Sequence, residues 1–156
     1  MTTRYQIVDG DITEQPVDVI VNAWNRNIIP WWLLLPQGVS GAIKKRAGYQ
    51  PFIELGRLGA IPLGQAVLTS AGKLPYRAII HVAGISMWWT ASPASIQASV
   101  RSAMQLVDQH GFGSVAFPLI GAGTGGIGDD RALQLMIEVL NTLNSPAQVY
   151  LVRFKR

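Results

Sequence analysis

Apolar residues fall along this chain in short blocks. Residues 5–8, 17–21, 66–70, 77–82, 114–120 and 148–154 form mostly apolar stretches, which predicts strands. They run nearly continuously instead of alternating, as in a sheet covered on both faces. Between them the spacing turns helical. Residues 39–47 predict a helix closed by Gly48 just past its end. Ser92 is a cap for a second helix, with Pro93 in the first helical position and Gly111 beyond the end. Ile96, Val100, Ala103 and Val107 share one face of it. Asp129 or Asp130 is the expected cap of a third helix, which carries Leu133, Met136, Ile137 and Leu140 on one side. Strand–helix alternation of this kind predicts a layered α/β fold with crossover connections. In such folds ligands bind beyond the carboxyl ends of strands.

Composition sharpens this picture. At 156 residues, 49% hydrophobic and 14% charged, the chain has the size and character of one globular domain spanning 1–156. It contains no cysteine, which excludes disulfides and thiolate metal sites. Scattered carboxylates without histidine partners make no recognisable metal site, and no cofactor is called for. No apolar run is long enough for a membrane span, and the N-terminus lacks an apolar signal segment, so a cytoplasmic protein without membrane contact is expected. The net charge of +4 favours an anionic partner. The basic residues are scattered, however, with clusters only at Lys44-Lys45-Arg46 and the C-terminus. That pattern reads first as a solvated helix face and tail, and second as a nucleic-acid footprint.

Three loops at strand ends carry candidate chemistry. Residues 120–130, IGAGTGGIGDD, join a strand to a helix, and five glycines let the backbone approach a ligand and turn its N–H groups inward. The loop has neither the Lys-Ser/Thr pair of a P-loop nor a full GxGxxG fingerprint. It reads as a tight turn or as an anion site. Gly10-Asp11 reads as an Asx turn or as a ligand contact. Asn22 and Asn25, where residues 17–21 run out, satisfy loop backbone or face a ligand. Their shared edge favours a site.

GDIT at Gly10, VDVIVNAWN, GVSGAIKKRAG, LPYRAIIHVAG and VAFPLIGAGTGG occur in this order. With these motifs the chain resembles the macrodomains, ADP-ribose-binding modules, and within them the bacterial O-acetyl-ADP-ribose deacetylase-like type. The resemblance runs from Arg4 to Phe154. It implies a three-layer α/β/α fold around a mixed sheet, with ADP-ribose or a mono-ADP-ribosylated protein as partner. By the same resemblance Asp11 accepts the adenine amino group, with Ile12 contributing backbone. Phe154 stands where an aromatic covers the adenine face, although an aromatic ending an apolar strand is as readily core. Asn25 matches the asparagine that meets the distal ribose. Gly38, Val39, Ser40 and Gly41 match the first diphosphate-side loop. Ile120, Gly121, Ala122, Gly123, Thr124 and Gly125 match the second.

Departures from the family pattern bear on activity. Hydrolytic relatives of this type carry a glycine run and then Val-Asp-Gly-Ala-Ile, whereas here the stretch is LLLPQGVSGAI. Ser40 therefore stands at the catalytic aspartate, and a lone serine hydroxyl is no general base near neutral pH. Asn25 and Ser40 are the candidate catalytic residues. His81, inside an apolar strand, reads as a core histidine, and His110 as a helix-end residue facing the dipole. Gly125 replaces an aromatic found in many relatives. Trp31-Trp32 and Trp88-Trp89 read as satellite-core or oligomer contacts before they read as ribose cover. The leading function is ADP-ribose binding. The alternatives are ADP-ribosyl hydrolysis or O-acetyl-ADP-ribose deacetylation with phosphate-assisted water, and binding of nucleic acid or poly(ADP-ribose) by the basic surface.

Overall fold

The computed structural model describes residues 2–25, 38–58, 61–85, 92–121 and 127–154. The strands are β1 (Arg4–Gly10), β2 (Val19–Asn25), β3 (Ala66–Thr69), β4 (Ala78–Ile85), β5 (Ser114–Pro118) and β6 (Gln148–Phe154). The helices are α1 (Gly38–Ala47), α2 (Gln50–Leu58), α3 (Pro93–Gln109) and α4 (Asp129–Leu140), with a 3-10 turn over Ile12–Glu14. The sheet order is β1-β6-β5-β2-β4-β3, and every pairing is parallel except β3 with β4. A mixed sheet between two helical layers is the expected three-layer α/β/α fold.

Side-chain alternation divides the core between the two faces. Val19 and Val21 of β2, Ile80 and Val82 of β4 and Phe117 of β5 pack with Ile96, Val100 and Met104 of α3 and Met136 and Val139 of α4. Their neighbours one residue along, Ile20, Ile79 and Ala116, pack on the other face with Ile43 of α1 and Phe52 and Leu55 of α2. That is why β2, β4 and β5 read as unbroken apolar runs. β1 differs. As an edge strand it exposes Tyr5 and Ile7.

Several expectations need correction. Residues 17–21 do not end a strand before Asn22 and Asn25, because β2 begins at Val19 and contains both asparagines. Asn22 serves no loop: its Nδ2 lies 3.0 Å from His81 Nδ1 across the β2–β4 pair, and both side chains are fully buried. α2 begins at Gln50, two residues past Gly48, and was not expected. Its apolar positions Phe52, Leu55 and Leu58 recur three residues apart, but Pro51 and Gly56 interrupt the stretch in sequence. Neither Asp129 nor Asp130 caps α4. Gly128 is the N-cap, without a side-chain bond, and the two aspartates occupy the first turn, where they complement the helix dipole. α3 matches expectation, with a reciprocal Ser92–Ser95 capping box and Pro93 at its start. His110 is its C-cap residue, with its ring stacked on Phe112 at 5.6 Å.

Candidate functional site

The parallel strands β1, β6, β5 and β2 are adjacent in that order, so their carboxyl ends form one continuous edge. Asp11 directly follows β1, and Gly10 pairs with Phe154 at the end of β6. Ile120 and Gly121 follow β5, and Asn25 closes β2. Three inter-strand spacings separate the first of these from the last, about 14 Å. α1 begins at Gly38 in the connection after β2, so Gly38, Val39, Ser40 and Gly41 form its first turn. The order Asp11, Phe154, Gly121, Asn25 along this edge is a property of strand topology and owes nothing to distance in sequence.

Asp11 has a defined local role. Its Oδ1 accepts from the Thr13 backbone N–H at 2.8 Å and from Thr13 Oγ1 at 2.6 Å, which caps the 3-10 turn. The Asx-turn reading of Gly10-Asp11 is thus realised. It leaves the second carboxylate oxygen, Oδ2, facing Arg46 Nη2 at 3.8 Å. Arg46 is also bonded to Glu14 Oε1 at 3.2 Å. The side chain of Asp11 is about one-quarter exposed, at 24%. It is therefore held in place and still reachable. Ile12 is fully buried, so its side chain belongs to the core.

Three supporting residues escaped the sequence reading. Thr13 was signalled by the Asp-x-Thr spacing, which suits an Asx turn. Arg46 was hidden in a basic cluster. Tyr76 carried no signal. Its hydroxyl lies 3.1 Å from the Ile12 carbonyl oxygen and 2.9 Å from that of Gln15, and it donates to this pair. It pins the 3-10 turn beneath the edge. Burial, and then the Asp11 charge, push the Tyr76 hydroxyl above its ordinary value, so it stays a donor.

At the glycine-rich loop, the Gly121 carbonyl accepts from Ile127 N at 3.1 Å, which closes the loop at its base. Residues 122–126 between them, and so Ala122, Gly123, Thr124 and Gly125, lie outside the described residues. So do the two tryptophan pairs and the stretch 26–37. The backbones of Asn25, Gly38, Val39, Ser40, Gly41 and Phe154 are described, and their side chains are not.

His81 lies behind this edge and takes no part in it. Its Nε2 is 2.8 Å from Thr69 Oγ1, and Thr69 Oγ1 donates to the Ser70 carbonyl at 3.0 Å. With Asn22 Nδ2 donating to Nδ1, the ring is the Nε2–H tautomer in a relay from Asn22 to Ser70. Burial drives its pKa down to about 3, so it is neutral, which bears out the core reading. Asn22 Oδ1 is left without a partner among the described residues. No group of three or more metal-ligating side chains occurs among the described residues, and none of their helices is long and apolar enough to cross a membrane.

An α/β/α sandwich with four adjacent parallel strands ending on one edge belongs to the doubly covered sheet class, in which ligands bind beyond the strand ends. Comparison with known proteins narrows this. Residues 21–136 match the family described as Macro domain, and the chain belongs to that family. It is 32% identical over 163 residues to a protein of Escherichia fergusonii named O-acetyl-ADP-ribose deacetylase, covering 97% of this chain and 89% of the relative. It is 35% identical over 163 residues to a Cronobacter sakazakii protein of the same name, covering 97% and 87%. Among solved structures, a variant of the Oceanobacillus iheyensis macrodomain with ADPR superposes with a TM-score of 0.85 at 29% identity, covering 97% of this chain and 86% of that one.

Proposed function

We propose that the 156 residues act as a single macrodomain that binds ADP-ribose, free or attached to a protein, along the carboxyl edge of β1, β6, β5 and β2. The observation that carries this reading is the order of the strand ends. A carboxylate follows β1, the paired end of β6 is Phe154, a glycine loop follows β5, and an asparagine closes β2. That order suits adenine, diphosphate and distal ribose in sequence. Asp11 Oδ2 would accept the adenine amino group, since Thr13 already fixes Oδ1. Backbone N–H groups of residues 121–125, with the first turn of α1, would hold the diphosphate. Asn25 would meet the ribose. The ADPR-bound relative supports the same ligand class.

Relatives named O-acetyl-ADP-ribose deacetylase favour a second reading, hydrolysis in the same cleft. Water there would be oriented by the ligand's own phosphate and Asn25, because Ser40 supplies no carboxylate. One experiment separates the two. ADP-ribose, AMP and ATP are titrated by calorimetry, and the same preparation is assayed for release of acetate from O-acetyl-ADP-ribose and of ADP-ribose from a modified protein. Selective micromolar binding, roughly 8 kcal/mol, without turnover supports the binding module. Ready turnover by the unmodified protein assigns hydrolysis instead.

A further inference from the structure

The last turn of α1 carries a second feature that the ADP-ribose reading does not use. A groove of about 880 Å³ opens between the last turn of α1, the start of α2 and the turn after β3. Lys44, Lys45, Gly48, Tyr49, Gly72 and Lys73 line it. Its place follows from topology. Thr69 at the end of antiparallel β3 pairs with Ile79 near the start of β4, so Gly72 and Lys73 lie at the amino-terminal edge of the parallel strands. α1 runs toward this edge for ten residues, about 15 Å, away from its first turn. Lys73 N donates to the Ala47 carbonyl at 2.9 Å and locks the turn to the helix end.

Two glycines shape the groove. Gly72 has φ +58, and a Cβ there would overlap the Ala47 carbonyl oxygen and lie 2.9 Å from Pro51 Cδ. Gly48 has φ +81, and the Lys73 stem lies across it, with Cε 3.6 Å from where a Cβ would stand. The Lys73 side chain is thereby bedded along the groove. Its charge and that of Lys45 make no ion pair among the described residues, and both residues are exposed. α1 has no acidic residue. The single carboxylate of α2, Glu54, is bound by the Ser70 N–H at 2.9 Å and by the Ser70 hydroxyl. These bonds hold its carboxyl below the usual range. Glu54 therefore stays anionic, and Lys44, Lys45 and Lys73 outnumber it, so the groove is net cationic.

An aromatic ring completes it. Tyr49 is 64% exposed, an unusual placement for so large a ring. Lys44 Nζ lies 5.8 Å from its centroid. An exposed ring beside a row of lysines is the pattern with which proteins hold single-stranded nucleic acid, the ring taking a base face and the ammonium groups the phosphates. We propose that the α1–α2 groove, with Tyr49 as stacking platform and Lys44, Lys45 and Lys73 as phosphate contacts, binds single-stranded nucleic acid.

The test is fluorescence anisotropy with a labelled 12-nucleotide oligouridine and the full chain. Three phosphate contacts on a single strand predict a salt slope of about −2, so affinity falls roughly 16-fold between 50 and 200 mM salt. The double variant Lys45→Glu, Lys73→Glu is expected to lose at least tenfold in affinity, and Tyr49→Ala about fivefold at either salt. Arg101→Glu, an exposed change on α3, is the control and stays within twofold. Saturating ADP-ribose leaves the RNA bound. Melting curves establish that each variant is folded. The proposal is overturned by absence of binding at 50 mM salt, or by equal losses in the groove and control variants. It is also overturned by displacement with ADP-ribose, or by equal affinity for a duplex or for a 12-residue polyglutamate.

Discussion

His81 provides a quantitative test of how the sheet is built. The ring is fully buried, with Asn22 on Nδ1, Thr69 on Nε2 and the Phe52 ring at 5.9 Å. Its pKa falls from the ordinary 6.5 to about 3 in the folded chain, through burial. The unfolded chain therefore binds a proton below pH 6.5 that the folded chain refuses. Stability from this residue is complete above that pH and is lost progressively as pH falls toward 3. At pH 4 the solution is about 2.5 pH units below the ordinary value, at 1.36 kcal/mol each, so the loss is about 3 kcal/mol. That is a large share of the 5–15 kcal/mol typical of a domain. The assay is urea denaturation of the wild type and His81→Gln at pH 7, 5.5 and 4. Glutamine keeps a donor and an acceptor but does not titrate, and the carboxylates titrate in both proteins. The wild type should lose about 3 kcal/mol more than the variant between pH 7 and pH 4. Parallel losses in the two proteins would refute the buried neutral imidazole.

Other predictions concern the two edges of the sheet. Asp11→Ala should weaken ADP-ribose more than ribose 5-phosphate in parallel calorimetric titrations, and equal losses would reject the adenine role. Ser40→Asp should raise hydrolysis of O-acetyl-ADP-ribose above the wild-type rate in an acetate-release assay, and an unchanged rate would detach that position from the chemistry. Gly72→Ala should cost about 1–3 kcal/mol, because an alanine at φ +58 is strained and its methyl meets the Ala47 carbonyl. Thermal melts should show this as a loss of several degrees, and an unchanged Tm would contradict the turn geometry.

The layered fold was legible because its signals are local. β4 and β6 are apolar runs, and α3 carries a serine cap, a proline and a four-residue stripe that need no tertiary context. α2 was illegible. Its nine residues bury Pro51, Phe52 and Leu55, but the stretch is short and broken by a proline and a glycine, which hid its apolar stripe. The end of β2 was misread for a related reason. Asn22 looks like a loop residue until His81 is seen opposite it, 59 positions away in sequence. Of the candidate site, Asp11 and Asn25 were visible through family motifs. The Asp-x-Thr spacing signals Thr13, whereas Tyr76, which holds the same turn, acts through contacts that composition does not encode. The cationic groove was divided in sequence among Lys44-Lys45, Tyr49 and Lys73, and only the junction of α1 with the turn after β3 brings them together.

The most direct measurement is an amide chemical-shift titration of the labelled chain with ADP-ribose. The account predicts saturating shifts at Asp11 to Thr13, Asn25, the first turn of α1 and Gly121, with Lys45, Tyr49 and Lys73 unmoved. Shifts confined to the α1–α2 groove, or none at millimolar ligand, would contradict it.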